Sequence, residues 1–187
     1  MNKKALIVID YTNDFVAVNG ALTCGEPAQR IEQRIVSLAR THLAQGDYVV
    51  MAVDCHQAHD PLHPESALYP PHNIIGTAGR QLYGELNGFY RQNQHAVEWM
   101  DKTRYDAFAG TDLALKLHAR GIREIHLAGV CTDICVLHTA ISAWYQGFVP
   151  VIHADAVASF NPAGHEWALR HFANQLGVSV VSARIDQ

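Results

Sequence analysis

Six short apolar runs, separated by stretches with helical spacing, constrain this chain more than any other feature. Lys4 to Ile9 leads into Asp10, and Tyr48 to Val53 leads into Asp54. Ala96 to Met100 is followed by Asp101 and Lys102, and Glu124 to Val130 by the segment from Cys131 to Cys135. Phe148 to His153 and Val178 to Ser182 complete the set. Such runs suit strands buried on both faces, as in a parallel sheet. Pro27 opens a helical pattern with Ile31, Ile35 and Leu38 on one stripe, and Gly46 stops it. Thr111 to Ala119 forms another, closed by Gly121. Thr132 or Asp133 caps a third, with Ile134, Leu137, Ile141 and Trp144 as its stripe and Gly147 at its end. Asn161-Pro162 starts a last helix, with Ala168, Phe172 and Leu176 inward and Gly177 as the stop.

This alternation predicts an α/β fold: an open three-layer α/β/α arrangement with a parallel sheet of about six strands, in one domain spanning residues 1–187. Ligands of such sheets bind beyond the carboxyl ends of the strands. Asp10, Asp54, Asp101, Lys102 and the segment from Cys131 to Cys135 all fall there.

Composition removes several alternatives. Apolar residues make up 49% of the chain and charged residues 17%, which excludes a disordered chain. A net charge of −4 argues against a nucleic-acid partner held by phosphate neutralisation. No apolar run approaches the ~20 residues that span a bilayer. The N-terminal run is cut short by Asp10, so it reads as a buried strand rather than a leader, and the protein as cytoplasmic. Four cysteines in such a chain are expected as free thiols.

Cys135 falls in the first turn of a helix, where the helix dipole favours thiolate over thiol. A free cysteine is otherwise a small apolar core residue. Cys131 and Cys135 also have the spacing of a weak redox or metal pair. Asp10 at a strand end needs a hydrogen bond or a cation if it is buried, although Asp14 could serve the loop as well. Lys102 is one of only four lysines. A cysteine, a carboxylate and a lysine at one sheet edge supply a nucleophile, a proton shuttle and a cation that holds both.

The loop at about residues 54–80 is long, rich in Pro and His, and without helical period, as functional loops often are. Between Asp54 and His72 it holds four histidines and three acids in nineteen residues. Asp54 and His56 are two apart on extended chain and point the same way. His72 can return from the far end of the loop, and Glu65 is a further acidic partner, directly or through water. Two imidazoles and a carboxylate suit one divalent ion, Zn²⁺ first, with Mn²⁺ or Fe²⁺ as alternatives. His59 and His63 are weaker candidates. Phe15, Tyr69, Trp99 and Tyr105 are available to wall a small planar ligand.

Taken together, Asp10-Tyr11-Thr12-Asn13-Asp14-Phe15, Asp54-Cys55-His56, His63-Pro64-Glu65-Ser66, Pro71-His72-Asn73, Trp99-Met100-Asp101-Lys102 and Gly129 to Val136 resemble the isochorismatase-like cysteine hydrolases, and among them the bacterial nicotinamidases. The resemblance runs through nearly the whole chain. It implies a triad of Asp10, Lys102 and Cys135, metal ligands Asp54, His56 and His72 with Glu65 at an additional acidic position, and an aromatic pocket of Phe15, Tyr69 and Tyr105. It implies a cis peptide between Val130 and Cys131, and an oxyanion site made by the backbone N–H groups of Cys131 and Cys135. It also implies hydrolysis of nicotinamide to nicotinate and ammonia through a thioester, in NAD salvage, with pyrazinamide as an analogue substrate, and assembly into dimers or tetramers. Related hydrolases of ureido or carbamoyl compounds are the nearest alternative, and a non-catalytic metal or thiol sensor is a more distant one. The chain departs from the pattern at Thr12, where many relatives carry Gln, and at Cys131, a second thiol that could oxidise with Cys135.

Overall fold

The computed structural model describes residues 3–183. Among these residues six parallel strands form one sheet: β1 (Ala5–Ile9), β2 (Tyr48–Asp54), β3 (Val97–Lys102), β4 (Glu124–Val130), β5 (Val149–Ala158) and β6 (Ser179–Val181). Their order is β3-β2-β1-β4-β5-β6. The chain therefore winds outward from β1 in one direction and from β4 in the other, and the crevice between the carboxyl ends of β1 and β4 is the topological switch point.

Both faces of the sheet are covered, which explains the unbroken apolar runs. Ala5, Ile7 and Ile9 pack with α5 (Leu113–Ala119), α6 (Leu137–Tyr145) and α7 (Pro162–Asn174), through Leu113, Leu117, Ala140, Ala168 and Phe172. Leu6 and Val8 pack on the other face, against α2 (Glu26–Arg30), α3 (Glu32–Ala44) and α4 (Gly84–Gln92), through Ala28, Ile35, Leu38, Leu86 and Phe89. A short helix, α1 (Asn13–Val16), follows β1. Among the described residues no helix is long and apolar enough to cross a membrane.

Several expectations needed adjustment. The single helix expected from Pro27 to Gly46 breaks at Ile31 into α2 and α3. Neither Thr132 nor Asp133 caps a helix with its side chain, because Thr132 to Val136 forms one wide π turn leading into α6. The Thr132 hydroxyl instead lies 2.8 Å from His165 Nδ1. Lys102 belongs to β3 rather than to the loop after it. Strand β5 continues five residues beyond His153, with a register irregularity opposite Leu127 and Gly129.

Candidate active site

Parallel pairing sets Asp54 of β2 directly beside Lys102 of β3. Alternation along β3 leaves Asp101 exposed and turns Lys102 fully inward. The Lys102 ammonium forms a hydrogen bond to Asp54 Oδ1 and lies 2.7 Å from Asp10 Oδ2. It also donates to the Arg104 carbonyl at 3.1 Å. Asp10 Oδ1 accepts from the Asp54 backbone N–H at 2.8 Å. Asp14, the rival for the loop role, accepts from the N–H groups of Asn73 (2.7 Å) and Ala21 (3.3 Å). It ties the loops together and leaves Asp10 to face the buried cation.

The charges divide unequally. Burial, and then the Asp54 carboxylate, push the Asp10 carboxyl up to about 7, against the pull of Lys102. Burial also raises Asp54, but Lys102 and His56 together outweigh it and hold that carboxyl at about 2. Burial works against the charge on Lys102, and the two carboxylates more than compensate. A neutral-range carboxyl thus sits between a fixed anion and a fixed cation.

Cys135 lies in the π turn, buried, with its thiol within 4.8 Å of carboxylate oxygens of Asp10 and Asp54. Burial pushes the thiol well above its ordinary range, and Lys102 only partly opposes this. Desolvation thus outweighs the preference for thiolate at a helix start, and the cysteine needs a base to take its proton. The Val130–Cys131 peptide bond is cis. Cys131 Sγ is 3.1 Å from Cys24 Sγ, so the thiol that Cys131 meets is Cys24. All four cysteines are free.

Asp54 links this cluster to a second one. Ligand atoms of Asp54, His56, Glu65 and His72, all buried, lie within 4.8 Å of one another. His72 Nδ1 donates to the Pro70 carbonyl at 2.8 Å, leaving Nε2 as a lone pair 3.5 Å from Glu65 Oε2. His56 Nε2 is 3.8 Å from Asp54 Oδ2. Asp54 Oδ2, His56 Nε2 and His72 Nε2 are buried without hydrogen-bond partners. Orphaned acceptors of this kind are costly unless something fills the space between them, and a divalent cation fits their chemistry. The backbone hydrogen bond on the far nitrogen of His72 is the usual orienting contact of a ligating imidazole. His63 does not join them: its Nε2 is 2.8 Å from the Thr103 carbonyl and its Nδ1 accepts from the Glu65 N–H at 3.2 Å. His59 is exposed, on the rim of the loop.

Between the two clusters lies a narrow slot of about 30 Å³, lined by Phe15, Tyr69, Tyr105, Asp54, Glu65 and Cys135, with Cys131, Leu22, Ile134 and Phe160 completing its wall. A wider cavity of about 400 Å³, sharing Glu65 and Tyr69 and including His56 and His72, adjoins it. Trp99 is outside: it packs on Tyr90 and Arg80 and donates to Asp101. Thr12 is buried but does not line the slot. Phe160 has no mark in the sequence as a pocket residue, because it lies half exposed in the loop after β5, next to a helix start rather than within a strand-end motif.

A family model described as the isochorismatase domain matches residues 4–184. The fold superposes with a TM-score of 0.94 on a crystal structure of nicotinamidase/pyrazinamidase PncA from Bacillus subtilis, at 64% identity, covering 96% of this chain and 99% of that one. A pyrazinamidase/nicotinamidase from Streptococcus mutans gives 0.94 at 48% identity, covering 96% and 100%. The pyrazinamidase of Pyrococcus horikoshii, solved in complex with zinc, gives 0.84 at 27% identity, covering 96% and 99%.

Proposed function

Since this chain belongs to the isochorismatase family, we propose that it is a nicotinamidase: it hydrolyses nicotinamide to nicotinate and ammonia, with Cys135 as nucleophile, and accepts close analogues such as pyrazinamide. One observation carries the reading. A single slot has the Cys135 thiol on its wall together with Asp54 and Glu65 of the His-rich cluster, and aromatic side chains between. A planar ring bearing a carboxamide suits both ends. Relatives described as nicotinamidases and pyrazinamidases support the substrate class.

Asp54, His56 and His72, with Glu65 directly or through water, would hold one divalent ion, Zn²⁺ first, which when bound supplies an electrophilic anchor for the pyridine nitrogen. The aromatic walls hold the ring in one plane, and this orientation sets the amide carbon against Cys135 Sγ. Asp10, with its carboxyl near neutrality, takes the thiol proton as the S–C bond forms. Lys102 keeps the Asp10 carboxylate and the developing thiolate from repelling one another. The backbone N–H groups of Cys131 and Cys135 receive the oxyanion, and one such donor typically contributes about 3–4 kcal/mol. Asp10 then delivers the proton to the amine, the C–N bond breaks, and ammonia leaves a thioester. Asp10 next removes a proton from water, which attacks the thioester. The C–S bond breaks, nicotinate is released, and the thiol regains its proton.

A ureido or carbamoyl substrate would use the same cysteine chemistry but has no ring nitrogen for the His-rich end. Ammonia release from nicotinamide by the purified protein, before and after chelation and after zinc is restored, tests the reading. Release that falls and returns is expected. Release from ureido or carbamoyl compounds in preference to nicotinamide would overturn it.

A further inference from the structure

Away from the slot, three more imidazoles converge. His42 lies in the last turn of α3, His126 on β4 and His153 on β5. One ring nitrogen of each lies within 4.8 Å of the other two. His126 Nδ1 is 2.8 Å from His153 Nε2, and the His42 and His126 ring centroids are 4.6 Å apart. His42 and His153 are buried, while His126 is partly open to solvent.

Two of these rings are oriented from outside by carboxylates. His42 Nδ1 is 2.8 Å from Asp47 Oδ2, and His126 Nε2 is 3.0 Å from Glu124 Oε1. With each N–H donated to its carboxylate, the other nitrogen of each ring keeps a lone pair. One proton lies between His153 Nε2 and His126 Nδ1, a bond that a bound ion would replace, and His153 Nδ1 is buried with no partner. Imidazoles backed by carboxylates, with an unsatisfied nitrogen among them, form the usual construction of a histidine metal centre. The cations nearby are already paired: Arg34 Nε with Asp155 at 2.8 Å, and Lys4 Nζ with Glu124 at 2.8 Å.

We propose that His42, His126 and His153 form a second metal site, for a divalent transition ion of which Zn²⁺ is the first expected, separate from the Asp54–His56–His72 cluster. Nitrogen donors select zinc, copper or nickel over magnesium or calcium. Tetrahedral zinc at about 2.0–2.1 Å places its nitrogens roughly 3.3 Å apart, so the rings need only small shifts, with water as fourth ligand on the open side. His126 lies four residues before Val130, about 13 Å back along β4 from the catalytic edge. The ion would therefore clamp α3 to β4 and β5 rather than take part in amide hydrolysis.

The test is zinc content after saturation and gel filtration. Two zinc ions per chain are expected in the unmodified protein, one in His153→Asn, one in His72→Ala, and none in the double variant. Undiminished zinc in His153→Asn, or a single zinc in the unmodified protein that His72→Ala abolishes, would overturn the proposal. Glu124→Gln guards against misfolding, since it lies at the surface and keeps all three imidazoles. It should weaken one of the two zinc affinities 10–100-fold in competition with a chromophoric chelator, leaving the other unchanged. Two unchanged affinities would equally overturn the second site.

Discussion

Gly129→Ala probes how closely the two catalytic strand ends must approach. Gly129 pairs with Ile9 across β1 and β4, one residue before Asp10. Its φ is +114°, and an added Cβ would lie 2.0 Å from the Ile9 carbonyl oxygen and 2.7 Å from the Ile9 nitrogen. Both neighbours are backbone, so no rotamer change relieves the overlap. Positive φ costs an L-residue about 1–2 kcal/mol, and overpacking adds about 1–3 kcal/mol. The combined loss of about 2–5 kcal/mol lowers Tm by roughly 4–20 °C in a chain of this size. Gly147→Ala is the control: φ is +79°, but the space around it is open, so only the backbone cost applies. Activity separates the two variants. Parting β1 from β4 moves Asp10 relative to Cys135, and a displacement of about 1 Å typically costs on the order of 10²-fold in rate. Calorimetry and ammonia release on both variants measure this. A Gly129→Ala protein with unaltered kcat/KM, or one no different from Gly147→Ala, would refute the reasoning.

Further outcomes follow from the same geometry. His56→Ala should lose the loop-site metal, whereas His63→Ala should retain it, because both His63 nitrogens are engaged by Thr103 and Glu65; equal metal loss in both would contradict the ligand set. Lys102→Met strands two buried carboxylates and should cost about 3–5 kcal/mol near neutral pH in urea unfolding of the chelated protein. Asp54 is held at about 2 by Lys102 and His56, so its contribution is present above the ordinary carboxylate range and disappears as pH falls through about 2. The Lys102→Met deficit should therefore shrink on acidification, and a deficit that grows would rule this out. With Asp10 near 7 and required as a base, kcat/KM should rise as pH passes upward through about 7; a flat profile from about pH 5.5 to 8.5 would remove Asp10 from that role.

Much of this architecture is legible in the sequence because it is written in local patterns. Apolar runs stopping at Asp10 and Asp54 mark strands buried on both faces, and the strand-end rule then gathers the polar residues at one edge. What stayed hidden depends on non-local geometry or on weak signals. Helix α4 begins at Gly84 and has no side-chain cap, so only Leu86 and Phe89 hint at it. The π turn at Cys135 has no sequence mark, and neither does the burial that pushes its thiol up. The Cys24–Cys131 approach joins positions 107 residues apart. Four histidines in the loop look alike in sequence. Only their hydrogen bonds distinguish His56 and His72, with free nitrogens, from His63, whose nitrogens are already used.

In the proposed reaction Cys135 performs amide hydrolysis on a nicotinamide ring. Steady-state ammonia release from nicotinamide, compared between the unmodified protein and Cys135→Ala at equal metal content, tests it most directly. Release by the unmodified protein is expected, and none above the uncatalysed rate by the variant, with metal content and Tm preserved. Ammonia release that survives in Cys135→Ala would contradict it.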